Sequence, residues 1–304
     1  MAGGSDSIDL TAALLSEVFP RSDIGRAEYL RWLYERSPFG AVIERNLDDR
    51  EGRAAHYALV PILLVRAGIE LKAALSLNTA VHARARGGGI FVRLASAAIE
   101  EARTQGMTAV VGVANANSTP GFVRRLGFRL LGPLPASILP PTPGRRSAIE
   151  SMAANDPRAA ELLAGAATLL SVPADCEGRI WSPETLAWRL ARPGAEYVLH
   201  IGEGLLAVSC ADRRRRIPVA VILKIFSSVP PPRSALHALV RAACSAHRAP
   251  LALHVGRGGL AQPRGLPLPG RLRDSPLNLI YRDLRGGDAP LPSLQFELLD
   301  FDAY

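Results

Sequence analysis

The pattern of apolar and polar residues predicts three successive β-strands in the first third of the chain. They cover residues 41–46, 56–65 and 71–81, and only short polar turns separate them. Strands joined by turns of so few residues pair antiparallel. Two helices are predicted before them, one ending near Phe19 and one over residues 26–35, where apolar residues recur at helical spacing.

A loop rich in arginine and glycine follows the third strand. It covers residues 84–89, reads RARGGG and leads into an amphipathic helix from Ile90. Glycines let the backbone come close to an anion, and the N–H groups at a helix N-terminus attract negative charge. The strand, loop and helix together therefore predict a phosphate-binding element.

A strand, a short helix and another strand follow the predicted phosphate-binding element. The apolar run at residues 107–113 is typical of a buried strand, residues 115–120 form a loop, and residues 121–126 form the short helix. A further strand begins at Gly127. The first part of the chain is thus predicted to mix strands and helices around one sheet.

A proline-rich stretch at residues 132–146 divides the chain. Its sequence GPLPASILPPTPGRR contains five prolines, which favours a linker or crossover. We therefore predict a first domain over residues 1–135, a linker over 136–147 and a second domain over 148–304. The second domain is predicted to begin with a helix over residues 148–170.

A weak internal repeat connects the two halves. Trp32 followed by Pro38 resembles Trp188 followed by Pro193, and a strand is predicted after each proline. Both halves then continue in the order helix, strand, strand, strand, helix, strand, which predicts two copies of one α+β unit. The last predicted strands, at residues 278–284 and 294–299, are assigned to the second copy.

The composition argues against a nucleic-acid-binding protein and against a membrane-spanning segment. The chain has 304 residues, is 48% hydrophobic and has a net charge of +8, but all of its basic residues except Lys72 and Lys224 are arginine. Because no basic block is interleaved with aromatic residues, no nucleic-acid partner is expected, although an arginine-rich nucleic-acid binder remains an alternative. The longest apolar run, residues 58–65, is too short to span a membrane.

The cysteines and the N-terminal residues indicate a cytoplasmic protein. The cysteines are three, far apart and without a C-x-x-C pair, so neither a disulfide framework nor a metal site is expected. The first residues carry acids and no basic segment, so no signal peptide is visible.

Two motifs resemble the GNAT superfamily of acyl-CoA-dependent N-acyltransferases. VHARARGGGIFVRL at residues 81–94 is similar to the acyl-CoA motif Q/R-x-x-G-x-G/A, and NANS at 115–118 with LGF at 126–128 is similar to a later element of that family. The resemblance covers about residues 68–131. It implies an α+β (mixed α/β) fold of two GNAT-like domains, each a mostly antiparallel twisted sheet flanked by helices.

The resemblance also implies an acyl-CoA site. Two registers of the loop are open, one starting at Arg84 and one at Arg86, and the second places Leu94 where the family has a core leucine. The implied cosubstrate is acetyl-CoA or another acyl-CoA, with no metal. The residues that would contact it are Thr79, Ala80, Val81, Arg86, Gly87, Gly88, Gly89, Ile90, Phe91, Asn115 and Ser118.

The catalytic residues are less clearly indicated. The family often has a tyrosine that protonates the leaving thiolate, and Val123 occupies that position here. Asn78 and His82 flank the implied acyl end and are the candidate catalytic residues, although a histidine at a strand end is more often structural. Further candidates near the site, each with a structural alternative, are His56, Glu44, Trp32 and Tyr34.

The second half departs from the family pattern. Three prolines, Pro230 to Pro232, stand where the glycine loop is expected, and proline has no N–H to offer an anion. Gly258 and Gly259 follow a strand but lead into a loop. The second domain is therefore interpreted as a degenerate copy that packs on the first.

Three functions follow as hypotheses. The first is transfer of an acyl group, expected to be acetyl, to a small-molecule amine by direct attack on the thioester. The second is a non-catalytic acyl-CoA-binding or scaffold protein, and the third is the nucleic-acid binder. A homodimer is compatible with each of them, and the sequence names neither the amine nor the acyl chain.

Overall fold

The structure, a computed structural model, describes residues 4–144, 148–173, 176–214, 216–273, 275–286 and 290–304. The first half contains α1 Gly4–Val18, α2 Ala27–Glu35, β1 Ile43–Asp49, β2 Gly52–Arg66, β3 Ile69–Val81, α3 Ile90–Thr104, β4 Ala109–Ala114, α4 Thr119–Arg125, β5 Arg129–Pro133 and β6 Ala136–Leu139. The second half contains β7 Glu150–Ala153, α5 Ala159–Gly165, α6 Ala167–Leu170, β8 Glu177–Arg179, α7 Pro183–Leu190, β9 Val198–Gly202, β10 Leu205–Arg214, β11 Ile217–Phe226, α8 Arg233–Ala246, β12 Ala252–Arg257, β13 Leu266–Pro267, β14 Asn278–Asp283 and β15 Leu294–Glu297.

The first sheet has the strand order β1-β2-β3-β4-β14-β5. Strands β1, β2 and β3 are antiparallel neighbours, as their short turns predict, and β4 lies parallel to β3 after the crossover through α3. The apolar stripe of α3, which includes Leu94 and Ile99, packs against this sheet in one core. Helices α1 and α2 pack around Leu15 and Leu30 in a second core with β2 and β3.

The second sheet repeats this arrangement. Its order is β7-β9-β10-β11-β12, with β11 and β12 parallel and α8 as the crossover between them. The predicted order of helix, strand, strand, strand, helix, strand is confirmed in both halves. The predicted helix over residues 148–170 is wrong at its start, because residues 150–153 pair antiparallel with β9 as an edge strand. An alanine-rich sequence does not by itself distinguish a helix from an edge strand. Here, pairing with β9 makes residues 150–153 a strand.

The two sheets exchange one strand each. Strand β14, from the second half of the chain, lies between β4 and β5 of the first sheet. Strand β6, from the stretch predicted as a linker, lies between β12 and β13 of the second sheet. Both exchanged strands bury apolar side chains such as Leu279, Tyr281 and Leu139. A cut at residues 136–147 therefore does not separate the two sheets.

Two short strands join the sheets into one continuous surface. The first half of the long strand β2 pairs with β1, and its end at Leu64 and Val65 pairs with β8. Strand β8 is parallel to β15, and β15 is antiparallel to the end of β12. The order across the junction is β2-β8-β15-β12.

The helices of the internal repeat meet at the centre of the molecule. Trp32 of α2 and Trp188 of α7 stack with ring centroids 4.6 Å apart and an angle of 15° between the planes. The Trp32 indole N–H also donates to the Trp188 carbonyl over 3.1 Å. The two residues that define the repeat in sequence are thus direct neighbours in space.

Candidate functional site

The parallel pair β3 and β4 separates before either strand ends. Pairing runs from Ala73 with Ala109 to Ser76 with Gly112. Beyond that point, within the part of the chain that the structure describes, no strand pairs with residues 77–81 on the side facing β4. A strand edge of this kind presents backbone N–H and C=O groups to a ligand.

A β-bulge lies in the end of β3, which pairs with β2 but has no described partner strand on its β4 side. Ala58 pairs with Leu77 and His56 pairs with Ala80, so one residue of β2 stands opposite Asn78 and Thr79. Asn78 has φ of +50°, a left-handed conformation that asparagine tolerates better than most residues. Bulges are frequent beside active sites because they redirect side chains.

The glycine loop has a conformation that requires glycine. Gly87, Gly88 and Gly89 have φ of +92°, +55° and +71°, and no atom lies within 4 Å of where a Cβ would stand at any of them. Gly89 is the N-cap of α3. The loop is therefore a left-handed turn with open space around it.

Several amides of this loop have no partner. Ile90 N donates to the Gly87 carbonyl and Arg93 N to the Gly89 carbonyl. The N–H groups of residues 88, 89, 91 and 92 make no hydrogen bond to the described part of the chain. Free amides at the positive end of a 15-residue helix form an anion-binding position.

The two arginines of the loop have different surroundings. Arg84 forms an ion pair with Asp49, with Nε 2.9 Å from a carboxylate oxygen, and a longer one with Glu51. Arg86 is exposed, and its hydrogen bond is a 3.5 Å contact from Nε to the Val81 carbonyl. Only the second arginine has a guanidinium without a carboxylate partner among the described residues.

His82 lies at the end of β3 and takes part in two local contacts. Its Nδ1 accepts from the Arg84 amide over 3.2 Å and so caps a short 3-10 turn. Its Nε2 lies 2.5 Å from a carboxylate oxygen of Glu17 on α1. The structure thus places this candidate in a loop-stabilising network, apart from the hydrogen bonds of Asn78.

Phe91 lies in the first turn of α3, and Thr79 to Val81 form the end of β3. The Phe91 ring packs edge-on against Phe122 of α4, with centroids 5.0 Å apart. Ala80 is buried in the core beneath α1 and α2, whereas Thr79 and Val81 are partly exposed. The aromatic side chain at position 91 therefore turns toward α4 and leaves the loop amides uncovered.

Asn115 and Ser118 belong to the turn that starts α4. The Asn115 side-chain oxygen accepts from the amides of Asn117 and Ser118 and from the Ser118 hydroxyl. This is an Asx-turn, a usual arrangement before a helix. Val123 is partly exposed on the next turn of α4, and its side chain has no proton to donate.

A buried polar network reaches the bulge from α2. The Tyr34 hydroxyl oxygen lies 2.8 Å from His56 Nε2 and 3.1 Å from Asn78 Nδ2. Burial lowers the pKa of His56 to about 3, so this imidazole is neutral and is not a general base at neutral pH. Glu44 lies 3.8 Å from His56 Nδ1. The structure thereby joins two minor sequence candidates, Tyr34 and His56, to Asn78.

The corresponding opening in the second sheet is filled by the chain itself. Strand β15 pairs with β12 through Gly256 and Arg257, and the turn after β15 packs beside β11. Lys224 on β11, buried, contacts the carboxylates of Asp300 at 2.8 Å and Glu297 at 3.3 Å. The cavity that Lys224 and Phe226 line measures about 40 Å³, which is room for water.

Lys224 lies outside the motifs that the sequence indicates. Its rarity, as one of two lysines, was the available signal. Among the described residues, no group of three or more His, Cys, Asp or Glu side chains could hold a metal ion. None of the described helices is long and apolar enough to cross a membrane.

Comparison with known proteins agrees with this architecture. Residues 3–131 match the family model described as "Acetyltransferase (GNAT) domain". No curated protein matches the chain.

Solved structures match over nearly the whole chain. A probable N-acyltransferase from Enterococcus faecalis V583 has a TM-score of 0.65 at 12% identity, covering 93% of this chain and 71% of that one. A tandem GNAT protein from the clavulanic acid biosynthesis pathway has a TM-score of 0.56 at 12% identity, covering 93% and 95%. N-myristoyltransferase of Saccharomyces cerevisiae with bound myristoyl-CoA has a TM-score of 0.55 at 10% identity, covering 92% and 80%.

These similarities concern the fold. Each half of the chain contains one α+β unit, and the two units are similar. The family match covers the first half, where the strand opening and the glycine loop lie. Residues 3–131 therefore match the GNAT acetyltransferase domain model, within a chain that has the fold of a tandem GNAT protein.

Proposed function

We propose that the protein transfers an acyl group, in the first instance acetyl, from acyl-CoA to a small-molecule amine. The observation that carries this proposal is the loop at residues 87–92. Within the described part of the chain, the amides of residues 88, 89, 91 and 92 have no partner at the N-terminus of α3, a few residues after the end of β3. An anion site beside a free strand edge suits a molecule with a pyrophosphate and an amide-containing arm.

The residues of the first domain fit acyl-CoA. The amides of residues 88, 89, 91 and 92 would hold the pyrophosphate, and the Arg86 guanidinium would add a charge-assisted contact. Residues 79–81 would pair with the pantetheine arm through their backbone. A free amide at this edge would polarise the thioester carbonyl, an effect for which one lost donor costs roughly 3 kcal/mol.

The amine would attack the thioester carbonyl carbon directly. Asn78 and His82 remain the proposed catalytic positions near this carbonyl. The contacts of His82 with Glu17 and the Arg84 amide support a role in fixing the end of β3. The hydrogen bond of Asn78 to Tyr34 supports a role at the acyl end.

Calorimetry with acetyl-CoA tests the proposal. We expect binding of one molecule per chain, and the double variant Gly87→Asp, Gly89→Asp should weaken it about 100-fold or more, because two carboxylates would face the pyrophosphate. Gly68→Asp is the matched control. Gly68 also has a positive φ, +72°, and open space, but it lies in the β2–β3 turn. No binding, or equal binding by all three proteins, would contradict the proposal.

A non-catalytic acyl-CoA-binding protein is the second candidate, and Val123 is the observation that favours it. A chain without a proton donor at the leaving sulfur would bind acyl-CoA and release no thiol. Thiol release can be followed with acetyl-CoA and a broad panel of primary amines. Binding without thiol release above the enzyme-free rate for every amine would favour this candidate over transfer.

A further inference from the structure

The side-chain amide of Asn46 determines which nitrogen of His56 carries the proton. The Arg53 guanidinium and the Arg45 carbonyl each lie 3.2 Å from the amide, and together they assign its oxygen toward Arg53 and its nitrogen toward Arg45. In this orientation the nitrogen donates to His56 Nδ1 over 2.6 Å. Because Nδ1 accepts, the proton of the neutral imidazole is on Nε2.

The Tyr34 oxygen then accepts two hydrogen bonds. His56 donates from Nε2 over 2.8 Å, and Asn78 donates from Nδ2 over 3.1 Å. A phenolic oxygen that accepts twice has its own proton left to donate. Among the described residues, no acceptor receives this proton. Tyr34 is thus a buried hydroxyl group held as an unpaired donor.

The position of this donor is set by the bulge. Asn78, which holds the Tyr34 oxygen, is the bulge residue in the end of β3. The acyl end of the proposed site lies along the same strand end. Val123 on α4 offers no donor there, so the leaving sulfur needs a proton from another element.

We propose that Tyr34 protonates the sulfur of CoA as it leaves, an inference that rests on the proposed acyl transfer. The bond from the amine nitrogen to the carbonyl carbon forms, and the carbon–sulfur bond breaks with its electron pair going to sulfur. The Tyr34 hydroxyl gives its proton to that sulfur. The phenolate then regains a proton released by the amine nitrogen, so one proton passes from nitrogen to sulfur overall.

The surrounding charges keep this hydroxyl in its donor state. Burial raises the pKa of Tyr34, with the Glu44 carboxylate acting in the same direction and the Asn78 hydrogen bond and the Arg53 guanidinium in the opposite one. His56, whose pKa is lowered to about 3, stays a neutral Nε2 donor. Tyr34 therefore remains protonated across the neutral range.

The thiol of bound CoA reports on this hydrogen bond without any amine. Thiolate formation is followed by ultraviolet absorbance while the pH of a CoA complex is raised. In wild type the donated hydrogen bond should lower the thiol pKa, and Tyr34→Phe should raise it by about one unit or more. The dissociation constant of CoA at neutral pH should change less than about twofold, since the thiol is then neutral.

Two further variants separate the donor from the structure. Asn78→Asp keeps the left-handed backbone, but its carboxylate accepts the Tyr34 proton, so the thiol pKa should rise as in Tyr34→Phe. Tyr29→Phe is the control on the same helix, because the Tyr29 hydroxyl already donates to Asp302 over 2.5 Å. It should leave the thiol pKa at the wild-type value.

The outcomes separate the proposed function from the role of Tyr34. If wild type does not bind CoA, the proposed function fails and the inference with it. If CoA binds and the thiol pKa is the same in wild type and Tyr34→Phe, the role of Tyr34 is overturned while the proposed function stands. With an accepted amine, Tyr34→Phe should also lower kcat roughly 100-fold with the KM for acetyl-CoA unchanged.

Discussion

The strand, loop and helix at residues 69–104 have a counterpart at residues 217–246, and the two share more than their order. Strand β11 carries a bulge at Leu223, three residues before its end, and β3 carries its bulge at Asn78, also three residues before its end. Both strands then separate from a parallel neighbour. Both halves therefore contain a bulged strand that separates from its parallel neighbour and leaves an opening between the two strands.

The two openings differ in the loop and in their content. Gly87 to Gly89 leave amides free, whereas the corresponding loop has Pro230 to Pro232, which lack an N–H. Among the described residues, no strand covers the end of β3 at the first opening on its β4 side, whereas the second opening is filled by β15 and the turn after it. The same fold thus carries unpaired loop amides at the opening of one half and a packed segment of chain at the opening of the other.

This difference concerns which groups border each opening. Removal of amide donors abolishes the attraction for an anion, and a segment of the chain then satisfies the free strand edge. Lys224, with Glu297 and Asp300, provides the buried charges that hold this segment. Substitution of residues that differ between the two halves, or that join them, tests this difference.

The largest effect is expected at Lys224. Lys224→Met leaves two buried carboxylates without their cation, which should lower the free energy of unfolding by about 3–5 kcal/mol. Urea denaturation at neutral pH measures this change. Lys72→Met, at the exposed side chain of the other lysine, should change it by less than about 0.5 kcal/mol. A loss below about 1 kcal/mol at Lys224 would contradict the role of the buried charges.

A smaller effect is expected from His200 in the second half. Burial lowers its pKa from 6.5 to about 3, while Ser151 and Ser209 hold its ring. Below pH 6.5 the unfolded chain therefore binds a proton that the folded chain does not, and stability falls as the pH falls toward 3. His200→Gln should reduce this slope by about 1.4 kcal/mol per pH unit.

Denaturation midpoints between about pH 5.5 and 4 measure the slope, where the unfolded histidine is largely protonated. A substitution at the exposed His237 is the control. His200→Gln should leave CoA binding unchanged because His200 lies in β9 of the second sheet, whereas the proposed CoA site is in the first domain. An unchanged slope would show that the folded chain also takes up the proton.

The stacked pair Trp32 and Trp188, which joins the two halves, should contribute a coupling of about 0.5–1.5 kcal/mol to the free energy of unfolding. Trp32→Leu and Trp188→Leu, alone and together, form a double-mutant cycle for the stacked pair. Trp32→Leu with Trp181→Leu is the control cycle, because Trp181 stacks on Arg179 and not on Trp32. Equal coupling in both cycles would exclude a specific contribution of the central stack.

The smallest effect is expected in the degenerate loop. Pro230→Gly, Pro231→Gly and Pro232→Gly together restore N–H groups, but β15 still fills the opening. Calorimetry should therefore give one CoA per chain, as in wild type. A second bound CoA would show that the prolines alone had closed the site.

Local sequence patterns were sufficient to predict many of the secondary-structure elements of this protein and their order. The antiparallel β1–β3 unit, the helix after the glycine loop and the repeated order of elements depend on periodicity, turn length and glycine conformation, which are local properties. Trp32 and Trp188 indicated the repeat, and Gly87 to Gly89 indicated the loop. The sequence also shows directly that residues 230–232 have no backbone N–H, because all three are proline.

The tertiary structure decided what depends on contacts between distant residues. The exchange of β6 and β14, the edge strand at residues 150–153 and the filling of the second opening by β15 each require pairing partners far away in the chain. The network of Tyr34, His56 and Asn78 likewise joins α2, β2 and β3. Periodicity specifies which face of an element is apolar, but only long-range hydrogen bonding and burial determine which partner covers it.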